Sequence, residues 1–348
     1  SSWTTIATIG IALIGIGEAQ GFSTGWVAGA IISGAYFGDK MSPLSDTTVL
    51  AASVTDTPLF THIRYMLYTT VPSMIVTLTV FSIAGFSRET ADASQIAAFS
   101  EALKSSFHIT PWLMIVPIVT GIMIAKKTPS IVVLFASSIL AGIFALIFQP
   151  NALLEISGIT DSGIIAYIKG LLMTFYDSTQ IQTGNETLNS LVSTQGMAGM
   201  MNTIWLIICA MCFGGAMSAS GMLESITRIF LHFMRGRTSM VASTVVSGLS
   251  LNICTADQFI AIILNSEMFK EVYKQRGFES RLLSRTTEDS VTVTSVLIPW
   301  TTCGMTQSTI LGVSTWTYFP YCIFNIVSPF MSILIAATGY KIVQKTMK

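Results

Sequence analysis

The chain has 348 residues, of which 51% are hydrophobic and 10% charged, with 18 basic residues against 18 acidic ones and a formal net charge of zero. Soluble domains carry roughly 25% charge, so this composition and a mean hydropathy of +0.66 exclude a soluble globular protein and identify a polytopic membrane protein. Without a net basic field or a nucleic-acid motif, nucleic acid is excluded as a partner, and the bilayer takes its place.

Taken in order, Trp3 to Gly17 is apolar but shorter than the roughly 20 residues of a simple span, and reads as one limb of a hairpin. Phe22 to Phe37 is rich in small residues. Gly25/Gly29 and Gly34/Gly38, each spaced four apart, predict close approach of a neighbouring helix. A polar break over Gly38 to Asp46 follows, then a short helix to about Ser53; Pro43 lacks an N–H and Gly38 leaves helical geometry easily, which predicts a discontinuous transmembrane helix. Tyr65 to Gly85, Pro111 to Ala125 and Ser130 to Phe148 read as spans, with a polar surface stretch from Phe86 to Thr110. Residues 149 to 202 read as a long extracytoplasmic loop, with Glu155, Asp161, Asp177 and Glu186 against Lys169 and an apolar patch at Ile164 to Phe175 suited to the interface.

Thr203 to Met222 spans again. Met240 to Phe269 is apolar but cut at Ser250-Leu251-Asn252 and at Thr255-Ala256-Asp257-Gln258, which predicts a re-entrant hairpin whose limbs each cover half a bilayer. Beyond a basic linker, Glu288-Asp289 heads a second broken span, with IPWTTCG at 298 to 304, and a last span runs from about Tyr318 to Thr338. Counting crossings puts Arg64, Lys126-Lys127, the 228 to 237 and 270 to 285 clusters and Lys341/Lys345/Lys348 on one side. The positive-inside bias makes that side, and the carboxyl terminus, cytoplasmic. His62 and His232 then fall at cytoplasmic helix ends as interfacial histidines.

The two broken regions share an order of hairpin limb, linker, carboxylate-headed break and proline-containing span. Lys40 to Asp46 lies over Arg285 to Asp289, and Tyr65/Pro72 over Tyr321/Pro329. Their entry from opposite faces is the inverted-repeat arrangement of secondary transporters. The expected fold is an all-α polytopic transporter with discontinuous helices and re-entrant hairpins. Residues 1–148 form an incomplete first repeat with connecting spans, 149–202 the loop, and 203–348 the second, inverted repeat. The opening, SSWTTIATIG, is not read as a signal peptide, and repeat arithmetic leads us to expect a matching amino-terminal piece of roughly 50 to 150 residues before Ser1.

An ionisable cluster inside hydrocarbon-length sequence marks an ion or proton path by default. A carboxylate in a low-dielectric cavity can hold either a proton or a hard cation, so the two compete for one charge. Asp46 and Asp289, one from each repeat, are the candidate sodium and proton ligands, with Asp39 and Asp257 as further candidates. Ser42, Ser45, Thr47, Thr48, Ser290 and Thr292 offer neutral oxygens, Pro43 the break, Lys40 a neighbouring ammonium for Asp39, and Glu288 a carboxylate facing the cytoplasmic rim. Ser45-Asp46-Thr47-Thr48 before an apolar run is also a helix N-cap signal, and Asp289 shares that reading. The five cysteines, Cys209, Cys212, Cys254, Cys303 and Cys322, lie in apolar sequence and read as buried thiols.

GDKMSPLSDTT at 38 to 48 is similar to the signature of the NhaC-type sodium:proton antiporters, and LSRTTEDS at 283 to 290, LIPWTTCG at 297 to 304 and LGVSTWTYFPY at 311 to 321 resemble that family's second signature region. The resemblance implies a bacterial inner-membrane antiporter, not an enzyme, that expels cytoplasmic sodium for external protons by alternating access. It needs no cofactor, and Asp39, Asp46 and Asp289 stand on positions matching family carboxylates. A second copy of the chain is a candidate partner. The same family includes sodium-linked malate/lactate exchangers. An organic-anion or amino-acid exchanger, with Arg285, Lys40 and helix N-termini holding a carboxylate, is therefore the alternative. TADQ at 255 to 258 and TTCG at 301 to 304 depart from the family wording and keep that alternative open. An intramembrane aspartyl protease is the reading from another class; its G-x-G-D motif fails because Tyr36 stands where a glycine is needed.

Overall fold

The structure is a computed structural model that describes residues 2–86, 93–126, 128–159, 163–184, 188–189, 192–193, 196–231 and 234–344. Lys127, Asp161, Glu186, His232, Lys345 and Lys348, which enter the charge pattern above, lie outside the described residues. Among the described residues the elements are all helical, and an isolated antiparallel bridge joins Phe278 to Gln344. The Leu59–Phe86, Gly196–Ala219 and Arg237–Thr255 helices are each long and apolar enough to cross a bilayer. Three bent pairs meet the same test together, with bends of 91° between 97–106 and 111–123, 101° between 132–148 and 150–157, and 54° between 315–321 and 323–338. This is the architecture of a multi-pass membrane protein.

The chain packs as two compact units, one of Ser1–Leu13, Ser23–Glu89 and Thr203–Lys348 and the other of Ile14–Phe22 and Thr90–Asn202. In the second unit the Ile115–Ala125 and Ser130–Phe148 helices lie side by side, with the Thr120 and Ser137 hydroxyls bonded at 2.8 Å. The long loop expected over 149 to 202 is instead partly helical. Pro150–Ser157 starts on a proline, where the missing N–H costs nothing, and Ile164–Tyr176 packs against it. At Gly170 a Cβ would lie 2.1 Å from the Leu153 carbonyl oxygen, so the two backbones touch.

The first unit holds both polar breaks. The Thr24–Met41 helix runs on through Gly38 and stops only at Ser42, so the first break is confined to residues 42 to 45 before the Asp46–Val54 helix. Gly25 and Gly29 are pressed against residues 317 and 321, where a Cβ would meet backbone at 2.5 Å, while Gly34 and Gly38 face open space. The close approach expected of four glycines is therefore made by two.

The hairpin of Arg237–Thr255 and Gln258–Gln275 turns at Ala256, with φ 57°, and at Asp257. With 19 and 18 residues, each limb is about 28 Å long, the thickness of a hydrocarbon core and not half of it. The cut expected at Ser250-Leu251-Asn252 does not form. Ser250 Oγ donates back to the Val246 carbonyl at 2.9 Å and the Asn252 amide bonds to another segment, so neither side chain competes with its own backbone.

The second break interrupts the chain at residues 298–301, within IPWTTCG, and Glu288-Asp289 lies inside the preceding helical run instead of heading the span. Ser280–Thr287 continues without interruption into a π-helical turn, Glu288–Thr292, then a 3-10 turn at Ser295–Leu297, before Thr301 caps the Thr302–Leu311 helix through Gly304 N–H at 3.0 Å. Asp289 thus sits where a helix widens, not at an N-cap. Two asparagines satisfy the carbonyls this loosened stretch releases: Asn252 Nδ2 donates to Val291 O at 2.6 Å and Asn325 Nδ2 to Val293 O at 2.7 Å. The proline-containing Leu59–Phe86 and Ile323–Thr338 helices pack along each other and close the unit on this side.

Candidate ion-binding site around Asp289

Asp289 is wholly buried, and its partners come from three other elements. The Lys40 ammonium, from the last turn of the Thr24–Met41 helix, donates to Asp289 Oδ1 and, at 3.2 Å, to Ser328 Oγ. Thr69 Oγ1 and Ser328 Oγ both donate to the same oxygen, at 3.2 and 3.3 Å. Asp289 Oδ2 accepts no hydrogen bond among the described residues, and Arg285 Nε stands 4.0 Å from it, one helical turn away. Lys40 also lies 5.7 Å from the centroid of the Phe324 ring, whose negative face adds a weak attraction for the ammonium.

Around this pair the structure sorts the residues expected to act. Lys40 reaches Asp289 and leaves its neighbour Asp39, which accepts from Ser2 Oγ at 2.9 Å; the expected interfacial Asp39–Lys40 pair is not made, because a helix splays consecutive side chains about 100° apart. Glu288, expected at the cytoplasmic rim, is instead fully buried and accepts from Thr47 Oγ1 at 3.1 Å, since the helix that carries it does not begin there but passes through the interior. Ser45 and Thr47 are bonded to each other at 3.1 Å, and Thr48 donates to the Lys40 carbonyl at 3.4 Å, tying the two sides of the first break together. Ser42 accepts from Leu44 N–H within the break, and Pro43 is exposed. Ser290 donates to the Thr286 carbonyl at 2.7 Å, while Thr292 Oγ1 is buried without a partner among the described residues.

Two of the four candidate carboxylates stand apart from this cluster. Asp46 occupies the first turn of its helix with an exposed side chain, so no direct Asp46–Asp289 pairing is made. Asp257 is 6% exposed and serves as N-cap of the second hairpin limb, its Oδ1 accepting from Phe259 and Ile260 N–H at 2.9 and 3.0 Å. Thr302 Oγ1 approaches its other oxygen at 3.4 Å.

Sequence reasoning missed Thr69 and Ser328. The available signal was a hydroxyl close to a proline inside an otherwise apolar span, Thr69 with Pro72 and Ser328 with Pro329. It also misplaced His62, which is fully buried with Nδ1 bonded to Ser284 Oγ, because the Leu59–Phe86 helix begins before it and carries it inward. All five cysteines are free thiols, as expected, though Cys209 and Cys212 are exposed on the isolated chain.

Chemically, this is a buried carboxylate with one resident ammonium, two hydroxyls and one unpartnered oxygen. Any cation that enters must share or displace the ammonium.

Residues 34–340 match the model of the Na+/H+ antiporter family. The Na(+)/H(+) antiporter NhaC of Bacillus subtilis is 35% identical over 337 residues, covering 96% of this chain and 71% of that protein. The malate-2H(+)/Na(+)-lactate antiporter of the same organism is 33% identical over 341 residues, covering 97% and 70%. The arginine/ornithine antiporter ArcD of Halobacterium salinarum is 30% identical over 349 residues, covering 99% and 69%. By a match that spans both polar breaks and the helices that hold Asp289, the chain belongs to the Na+/H+ antiporter family.

Proposed function

We propose that this chain is a secondary active antiporter of a bacterial plasma membrane, exchanging cytoplasmic sodium for external protons by alternating access. Asp289 is the carboxylate the two ions share. The observation that carries this reading is the wholly buried Asp289–Lys40 pair beside a helix that has lost its regular hydrogen bonding. In a medium of low dielectric an ionised carboxylate needs a positive partner, and Oδ1 can be held by the ammonium, a sodium ion or a proton, but not by all at once. Sodium gains Thr69 Oγ1 and Ser328 Oγ as neutral ligands when those hydroxyls turn their lone pairs inward, and Lys40 then swings aside. A proton neutralises the site outright and frees it for the return step.

In this reading Glu288, held by Thr47, is a second buried carboxylate that couples the first break to the second. Asp46 and Asp39 line the approach to the site, and Asp257 is a structural cap. An inverted repeat is supported by the mutual packing of the two proline-containing helices aligned in sequence, Leu59–Phe86 with Ile323–Thr338. A cytoplasmic carboxyl terminus is supported by the basic groups gathered at one end of the first unit. There Arg237 donates to the Ala336 carbonyl at 2.6 Å, Arg276 to Met234 O at 2.6 Å and Tyr65 OH to Lys341 O at 3.2 Å.

The test is dissipation of an imposed pH difference when sodium is added to proteoliposomes. The wild type should respond, Asp289→Asn should fall to the level of empty liposomes, and Asp46→Asn should keep a response at a higher sodium requirement. An Asp289→Asn variant that exchanges like the wild type removes Asp289 from the mechanism.

A further inference from the structure

Beyond Asp289, on the side away from the basic groups, the two proline-containing helices keep a polar seam between them. On Leu59–Phe86, Thr69 reaches Asp289 Oδ1, and Ser73, Thr77 and Phe81 follow it at four-residue intervals along one face. On Ile323–Thr338, Ser328 reaches the same oxygen, preceded by Asn325 and, in the turn before the helix, by Tyr321. The helices run antiparallel. Tyr65 OH meets Lys341 O at one end, and Phe81 and Tyr321 share the Trp26 ring at the other.

Thr69, Thr70, Ser73 and Asn325 are wholly buried and Thr77 nearly so, whereas the exposed positions Val71, Ile75 and Leu78 of the same helix are apolar. The polar side chains therefore turn inward, away from lipid. The Ser73 and Thr77 hydroxyls donate to the carbonyls of Thr69 and Ser73, each at 2.8 Å, which leaves their oxygen lone pairs free to accept. Thr70 Oγ1 and Asn325 Oδ1 have no partner among the described residues. Buried polar atoms held idle mark a place that water or an ion visits. The seam ends in aromatic rings: Trp26 meets Phe81 at 5.0 Å and Tyr321 at 4.9 Å between centroids, both edge to face. Phe81 is one turn beyond Thr77 and, at 1.5 Å per residue, about 18 Å along the helix from Thr69. At the opposite end of that helix an open cavity of about 590 Å3 is lined by Thr57, Thr61 and Ser280.

We propose that this seam is the cation path between Asp289 and the membrane face remote from the basic groups, and that Trp26, Phe81 and Tyr321 are the gate that closes it. Hydroxyl oxygens one helical turn apart let sodium exchange its water for neutral ligands in steps. The three rings seal the far end against water. Gly25 and Gly29 press the Thr24–Met41 backbone against residues 317 and 321, so Trp26 and Tyr321 move as one body and the gate opens between them and Phe81.

This inference rests on the reading of Asp289 as the ion site, and labelling and transport are measured separately so that the two can fail separately. Ser73→Cys and Thr77→Cys are placed in a chain whose five cysteines are replaced by alanine and which retains exchange. Right-side-out membrane vesicles are then treated from outside with a membrane-impermeant trimethylammonium methanethiosulfonate. We expect both positions to react, Thr77→Cys the faster, with sodium slowing Ser73→Cys, while Ile75→Cys and Leu78→Cys on the exposed face do not react. Adding Phe81→Ala should speed both reactions at least fivefold. Should that variant not fold, Phe81→Leu, which keeps apolar bulk without the ring, should give a smaller rise. Should the cysteine-free chain lose exchange, Thr77→Leu in the native sequence decides: it should abolish exchange with an unchanged melting temperature, while Leu78→Ala exchanges normally. Exchanging variants that do not react at 73 and 77, reaction no faster than at Ile75→Cys, rates unmoved by the Phe81 variants, or a Thr77→Leu that exchanges like the wild type would overturn the inference. If the seam never reacts while Asp289→Asn abolishes exchange, the antiport reading stands and this one falls. If the seam reacts while Asp289→Asn exchanges like the wild type, Asp289 as the ion site falls instead.

Discussion

At the scale of single residues, Asp289 and Lys40 stabilise each other only as a pair. Removing one partner of a buried ion pair costs about 3–5 kcal/mol because the survivor stays uncompensated, whereas replacing both by apolar groups is often neutral. Lys40→Met should therefore lower the melting temperature of the detergent-solubilised protein, and Lys40→Met with Asp289→Leu should recover most of the loss. A double variant no more stable than Lys40→Met alone would show that the two side chains are not coupled. The sequence made both residues conspicuous, since Lys40 and Asp289 each interrupt apolar sequence. It did not reveal that they meet, because 249 positions separate them and each has a nearer charge beside it, Asp39 and Glu288.

At the scale of elements, the loosened turn after Thr287 is held by two side-chain amides. Asn252→Ala leaves the Val291 carbonyl buried without its donor, a cost of about 1–3 kcal/mol, and Asn325→Ala does the same to Val293. Each should melt earlier than the wild type, and an unchanged melting temperature in both would mean the released carbonyls find other donors. The glycines offer a second contrast. Gly29→Val forces a side chain against the backbone at residue 321, at about 1–3 kcal/mol for an overpacked contact, whereas Gly34→Ala enters open space and should be neutral or slightly favourable. Equal melting temperatures for the two would contradict the close approach.

The Thr24–Met41, Asp46–Val54, Leu59–Phe86 and Ile323–Thr338 helices were legible from hydropathy and punctuation, and Pro43 marked the first break to within a few residues, whereas Ser280–Thr287 lies in a stretch whose charges read as a linker. The second break falls at residues 298–301, inside the IPWTTCG stretch that marked it, but the π turn before it carries no sequence punctuation: Glu288 to Thr292 contains neither glycine nor proline.

Over the whole molecule, the buried Asp289–Lys40 pair lies within a multi-pass helical membrane fold. Composition alone placed the chain in a bilayer. The helix at 150–157 was read as loop, and the one at 164–176 was marked as an apolar patch within that loop, because their flanking charges resemble those of a loop. Among the described residues, Lys40 and Arg285 are the basic groups within 4.0 Å of Asp289.

If Asp289 is the shared group, sodium and protons compete for one carboxylate, and the sodium concentration for half-maximal exchange in proteoliposomes, measured as a function of pH, reports that competition. Competition predicts that this concentration rises as pH falls, approaching about tenfold per pH unit on the acid side, while the maximal rate at saturating sodium stays constant. A half-saturation that does not move with pH would contradict it.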